Sequence, residues 1–229
     1  MVTLSIIIPV KDEEVGLEYL FQDFKKSQLK DEYDVEFIFV IDIRTSDSSK
    51  SIARKLSPNI IDQKETIGKG AAIKQAIENW KKQPSQITIF LDADGSYSFD
   101  AVSKIVKEIE NGAQVVSGSR FLSSSSRPIG MSRLHNFGNR TLSRISSIRN
   151  RRHISDLCTG LWGFSKDSLF KLPIVSNGFD LEAEIAGLCR KNNLIHTEVQ
   201  VEWSQRKGGT SKLRSLTDGF IIFLRILRT

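Results

Sequence analysis

Two carboxylates one residue apart, Asp92 and Asp94, stand directly after an apolar run at 87–91 and directly before Gly95. Two acids on one turn can hold a hard divalent ion such as Mg2+ or Mn2+, which keeps several waters and takes further oxygens from a diphosphate. The ion then neutralises charge that builds on a phosphate leaving group. The plain alternative is an acid pair that closes a turn or caps the next helix. Lys69, between Gly68 and Gly70 at the start of a helical pattern, can face a phosphate or stay solvated. Acids recur past the ends of two other apolar runs, Glu13 with Lys11 beside it and Asp42.

Positive charge is concentrated elsewhere. From Arg120 to Ser155 there are eight arginines and no acid, and the stretch from Trp203 adds Arg206, Lys207, Lys212, Arg214, Arg225 and Arg228 against Asp218 alone. The chain of 229 residues carries only +6 in total, so its remainder is net acidic. A local field of one sign points to an anionic partner: nucleic acid, an acidic membrane surface or a phosphorylated substrate. A solvated basic face is the bland reading. Only Phe121 and Phe137 interleave the arginine belt and no nucleic-acid motif occurs, which argues against nucleic acid.

The elements that must position these groups follow from the apolar pattern. Residues 4–8 form a short continuous apolar run that suits a buried parallel strand, and Leu17, Leu20, Phe21 and Phe24 follow at helical spacing. Further strands are expected at 35–41, 87–91 and 114–117, with helices through Ile52 and Leu56, from Gly68 through Trp80, and through Val102, Ile105, Val106 and Ile109. Strands alternating with helices predict an α/β, Rossmann-like, mostly parallel sheet with helices on both faces. Ligands of such sheets sit at the carboxyl ends of the strands, and here those ends carry the charged loops. The second half is expected to add strands at 161–164 and 196–203 and a helix at 181–188, a smaller acceptor-side β extension continuous with the sheet. At 39% hydrophobic and 26% charged, the composition is that of a globular chain. Cys158 and Cys189 lie far apart, outside any metal or disulfide framework, which fits a reducing cytoplasm. The N-terminal run has no basic flank and reads as a strand rather than a signal peptide.

Several segments occur in one order: SIIIPVKDEE, FVID with Asp47 five residues beyond Asp42, GKGAA, IFLDADGSYSFDAV, VSGSRF, RPIGMSRLHNFGNR, SDLCTGLWGF, GFDLEAEI and RKGGTSK. Together they resemble the family 2 glycosyltransferases of the GT-A type, and most of all dolichol-phosphate mannose synthase and related polyprenyl-phosphate glycosyltransferases. The resemblance spans nearly the whole chain. It implies one GT-A domain over 1–215, with a nucleotide-sugar half at 1–120 and an acceptor half at 121–215. It implies nucleotide binding by Pro9, Lys11, Glu13, Asp42, Lys69, Asp92 and Asp94, with the divalent metal on Asp92 and Asp94. Ile43 and Arg44 depart from the family's Asp-Gly at those positions, and Ser96 stands where some relatives carry Gln. Arg120, Arg133, Ser211 and Lys212 would bind the acceptor, and Asp94, Arg120, Arg206 and Lys212 would serve catalysis. Asp156, Glu182 and Glu184 fall in matched segments, with packing or arginine pairing as the alternative.

A hydroxyl nucleophile needs a base during attack. A phosphate monoester, with its second pKa near 6, does not. The expected reaction is inverting, metal-dependent transfer of a hexose from a UDP- or GDP-sugar to a polyprenyl or dolichyl phosphate. The alternatives are a family 2 enzyme acting on a glycan hydroxyl and a non-catalytic nucleotide-sugar binder. The processive version lacks its Gln-x-x-Arg-Trp and Glu-Asp motifs, and a nicotinamide dehydrogenase lacks G-x-G-x-x-G after the first strand. Residues 216–229 read as an amphipathic helix, with Leu216, Phe220, Phe223, Leu224 and Leu227 near one face and basic residues around them. It is too short to cross a bilayer. It would lie in a membrane interface, lead on to transmembrane segments, or close the core. The expected location is peripheral, at the cytoplasmic face of a membrane, and nothing sets an oligomeric state.

Overall fold

The computed structural model describes residues 1–63, 68–80, 84–123, 127–214 and 216–229. In chain order it forms β1 (Val2–Val10), α1 (Glu14–Lys26), α2 (Leu29–Glu32), β2 (Tyr33–Ile41), α3 (Ser49–Leu56), β3 (Ile60–Asp62), α4 (Lys69–Trp80) and β4 (Ile87–Leu91). The chain continues through α5 (Phe99–Glu110), β5 (Val115–Ser119), α6 (Arg133–Asn150), β6 (Leu161–Ser165), α7 (Lys166–Leu169), α8 (Leu181–Lys191), β7 (His196–Gln200) and α9 (Thr217–Arg228). The boundary expected at residue 215 lies outside the described residues.

The continuous apolar runs are strands covered on both faces. Successive side chains of a strand point to opposite faces. Leu4, Ile6 and Ile8 of β1 therefore join Leu17 and Leu20 of α1 and Val102, Ile105 and Val106 of α5 in one core. Ile7 joins Ile73 and Ala76 of α4 and Ile185 and Leu188 of α8 in the other. β2 and β4 divide their residues in the same way: Phe39, Ile41 and Ile89 enter the first core, and Ile38, Val40 and Phe90 the second. Burying each such Leu or Ile contributes about 1.5–3 kcal/mol.

The sheet has the order β3-β2-β1-β4-β6-β5-β7. β6 runs antiparallel to β4 and β5, while the other pairings are parallel. The strand order turns at β1, which has β2 on one side and β4 on the other, so a crevice opens at the carboxyl ends of β1 and β4.

Three features add to or depart from the sequence-based expectation. β3 is only three residues long and pairs with β2 at the edge. α6 is capped by Ser132, whose side chain accepts the His135 N–H, and buries Asn139, Ser143, Ser146 and Asn150. Its exposed face mixes Leu134, Phe137 and Ile148 with Arg133 and Arg144, while Leu142 and Ile145 pack partly buried, so the helix lacks the clean two-faced polarity of an ordinary surface helix. α9 buries Ile222 and Ile226 against α6 and α8, and leaves Leu216, Phe220 and Leu227 of the expected apolar face exposed.

Candidate active site

The crevice deepens into a cavity of about 440 Å³ at the carboxyl ends of the parallel strands. The β1 end contributes Pro9, Lys11 and Glu13, the β2 end Asp42 and Arg44, the residue after β3 Gln63, and the start of α4 Lys69. Asp92, Asp94 and Ser96 enter from the turn after β4, Arg120 from the end of β5, Glu182 from α8, and Trp203, Arg206, Ser211 and Lys212 from the segment after β7. Each sequence-predicted site residue except Arg133 therefore lines one cavity. Arg133 is the first residue of α6, exposed and outside the lining.

Gly95 turns the chain after the acid pair with φ +71°, a conformation that favours glycine. Asp94 Oδ1 accepts the Ser96 N–H at 3.0 Å, and its Oδ2 lies 3.9 Å from Arg206 Nη1. Asp92 rests against Gly160, where a Cβ would lie 1.9 Å from Asp92 Oδ2. Lys69 Nζ bridges Asp92 at 2.6 Å and Glu182 at 2.7 Å. Burial pushes the lysine toward neutrality, but these two carboxylates outweigh it and hold its pKa above the ordinary value. Burial raises the carboxyls of both Asp92 and Glu182, with Lys69 opposing.

Arg44 grips Asp42 by Nε and Nη2 at 2.9 and 2.6 Å, and this bonding holds Asp42 below the usual carboxylate range. The residues that depart from the family's pattern thus supply the aspartate's own partner. Glu13 receives Arg206 Nη2 at 2.6 and 2.7 Å and Lys212 Nζ at 2.7 Å. Lys207 N–H donates to Asp94 O and Ser204 N–H to Ser96 O, which docks the segment after β7 on the acid-bearing turn. Arg120 lies near the rings of Phe121 and Trp203, 5.8 and 5.9 Å from their centroids, and binds Asp156 through Nε and Nη2.

Asp92 and Asp94 suit a hard divalent cation: both are carboxylates at one cavity rim, with about a third and a fifth of their side chains exposed. Among the described residues no group of three His, Cys, Asp or Glu side chains could hold a metal. A cation there would take its other oxygens from a ligand and from water, as Mg2+ commonly does. Two structural partners carried weak signals in the sequence. Glu182 and Asp156 stand in matched segments, but only the fold brings them to Lys69 and Arg120. Gln63, buried and donating to the Gly68 carbonyl at 2.9 Å, follows a strand too short to read from apolar periodicity.

Comparison with known proteins agrees with this geometry. The profile described as Glycosyl transferase family 2 matches residues 5–172. Glycosyltransferase AglJ of Haloferax volcanii is 27% identical over 226 residues, 98% of this chain and 71% of that protein. A dolichyl-phosphate hexose transferase of the same organism is 27% identical over 185 residues, 80% of this chain and 77% of its own length. Among solved structures, glucosyl-3-phosphoglycerate synthase from Mycobacterium tuberculosis, in complex with Mn2+, UDP-glucose and phosphoglyceric acid, superposes with a TM-score of 0.70 at 16% identity. The match covers 99% of this chain and 79% of that one, and the shared fold is GT-A.

Proposed function

The chain belongs to glycosyl transferase family 2 and is a glycosyltransferase, and from that premise we propose that it transfers a hexose from a UDP- or GDP-sugar to a polyprenyl or dolichyl phosphate at a membrane surface. The observation that carries this reading is the charge pairing of the cavity. Among the described residues seven cations line it (Lys11, Arg44, Lys69, Arg120, Arg206, Lys212, Arg214) against five carboxylates (Glu13, Asp42, Asp92, Asp94, Glu182). Each of those carboxylates has a cation within salt-bridge reach, and no histidine is in the lining. Such a site is poor in free bases and rich in anion partners. It suits an acceptor oxygen that is already ionised, as a phosphate monoester largely is near neutral pH.

In this reading Asp92 and Asp94 hold a divalent cation, which when bound neutralises charge on the departing nucleoside diphosphate. Pro9, Lys11, Glu13, Asp42 and Lys69 form the nucleotide side. Arg120, Arg206, Ser211 and Lys212 form the acceptor side, and Arg133, outside the cavity at the exposed start of α6, is assigned to the acceptor lipid. The lipid phosphate oxygen bonds to the anomeric carbon as the bond to the diphosphate oxygen breaks, and configuration inverts. Holding two anions in line is the main task of the protein groups. The relative of Haloferax volcanii named for dolichyl phosphate supports this acceptor, and the Mn2+ and UDP-glucose of the mycobacterial neighbour support the donor chemistry.

The membrane part rests on α6 and α9. These helices pack on each other and expose Leu134, Phe137, Ile148, Leu216, Phe220 and Leu227, and they carry Arg133, Arg144 and Arg149 on α6 and Arg225 and Arg228 on α9. Apolar groups with basic neighbours seat a helix in the plane of an anionic interface. No helix of the described residues is long and apolar enough to cross a membrane. The proposed location is the cytoplasmic face.

The test is a panel of labelled UDP- and GDP-sugars with polyprenyl phosphate in vesicles and Mg2+ or Mn2+. Label should enter the organic phase, and Asp94→Ala should lower the rate at least about a hundredfold. Label in water-soluble oligosaccharide instead, or a fully active metal-independent Asp94→Ala, overturns the reading.

A further inference from the structure

Arg120 is held unusually tightly for a residue assigned to an incoming anion. Asp156, which holds it, is completely buried. One Asp156 oxygen accepts the Arg120 backbone N–H at 3.0 Å and its Nε at 2.6 Å, and the other accepts Arg120 Nη2 at 2.7 Å and Asn139 Nδ2 at 2.6 Å. Nη2 also donates to the Cys158 carbonyl at 2.8 Å. The carboxylate is thus filled with donors and cannot serve as a base. Among the described residues the hydrogen bonds of the guanidinium engage Nε and Nη2, and Arg120 lines the cavity, so Nη1 is the nitrogen left to take an anion there.

The last donor on Asp156 comes from α6. Asn139 Oδ1 accepts the Cys158 N–H at 3.0 Å and the Ser143 hydroxyl at 3.3 Å, and Ser143 Oγ accepts the Leu157 N–H at 2.9 Å. On the opposite side of the loop, Glu198 of β7 accepts the Ser155 and Asp156 N–H groups at 2.9–3.1 Å. The loop that bears Asp156 is therefore suspended between β7 and the polar face of α6. The other face of α6 carries the exposed Phe137. We propose that Asn139 is a positioning residue, which aims Arg120 at the acceptor phosphate through Asp156 and so ties recognition of that phosphate to the seat of α6.

This inference rests on the reading of Arg120 as an acceptor-side group. Two measurements separate its failure from the failure of that reading. In steady-state kinetics Asn139→Ala should raise the KM for polyprenyl phosphate about tenfold, the worth of one hydrogen bond to a charged group. The KM for the sugar nucleotide should stay within about twofold, because the nucleotide side does not contact Asn139. A purely structural role would lower kcat with both KM values unchanged, and that result overturns the proposal, as does an unchanged acceptor KM. The second measurement needs no substrate. The Arg120 Nε–H should give a slowly exchanging NMR signal in the wild type and a faster one in Asn139→Ala. Equal exchange overturns the proposal whatever the kinetics. If the wild type transfers no sugar to polyprenyl phosphate, the functional reading falls, and the exchange measurement alone decides the positioning role. Should the alanine variant not fold, Asn139→Ser, which replaces the Nδ2 donor to Asp156 with a shorter hydroxyl on Cβ, carries the same expectations.

Discussion

Replacing Glu13 by Gln removes the charge that fastens the segment after β7 over the cavity. The carboxylate takes three short contacts from Arg206 and Lys212, all between side chains with no more than 24% exposure. Hydrogen bonds to charged groups contribute about 1.5–3 kcal/mol each. The full sum is not to be expected. Burial raises the Glu13 carboxyl by more than the two cations pull it down, so desolvation consumes much of what the pairing returns. Glutamine also keeps one acceptor oxygen. The net loss in docking is therefore about 1.5 kcal/mol, or roughly a tenfold rise in local opening. Native-state hydrogen exchange reads this directly at the Ser204 and Lys207 amides, which donate to Ser96 and Asp94 carbonyls. Their protection should fall about tenfold while amides of β1 and β4 are unchanged. Unaltered protection of the two amides, or an equal loss throughout the sheet, would refute the assignment of Glu13 as the fastener.

Three further outcomes follow from particular contacts. Gly160→Ala brings a Cβ against Asp92 Oδ2, where only 1.9 Å is available; it should destabilise the fold by about 1–3 kcal/mol and weaken Mn2+-dependent nucleotide binding, and unchanged binding by calorimetry would contradict the Asp92 assignment. His196, bonded to Ser117 Oγ at 2.8 Å, is pushed down to about 3, first by burial and then by Arg152. Its unfolded imidazole takes a proton below about 6.5, so stability should be full above that pH and fall by up to about 1.4 kcal/mol per unit toward pH 3. Urea melts of His196→Gln should show a shallower acid slope; an identical slope removes His196 as the cause. Phe137→Glu and Phe220→Glu alter side chains of residues that are 70% and 61% exposed. Each should move stability by less than about 0.5 kcal/mol yet lower co-sedimentation with anionic vesicles severalfold, and wild-type sedimentation would argue against an α6–α9 seat.

The strands that carry the site were legible because they are buried on both faces, and a five-residue apolar run such as 87–91 has few other uses. The rim could be read for the same reason, since charged loops at strand ends converge in a parallel sheet. α6 escaped detection because its pattern is mixed: Leu142 and Ile145 pack on the core, but its fully buried positions are Asn139, Ser143, Ser146 and Asn150, which periodicity assigns to solvent. On α9 the pattern identified a helix but not its inner side, since Ile222 and Ile226 turn inward between residues of the outer apolar face. The partners of the predicted cations were unreadable for a different cause. Lys69 meets Glu182 and Glu13 meets Arg206 across more than a hundred residues of chain, and only the closed sheet determines which acid each base finds.

Among the described strands β6 is the one that runs reversed, and this has a bearing on how the rim can be altered. Because it travels back between β4 and β5, it delivers the segment 155–160 to the rim as an incoming loop, and its Gly160 carbonyl receives the Asp92 amide. Adding or deleting a residue there would shift the floor under the acid pair and Arg120 together.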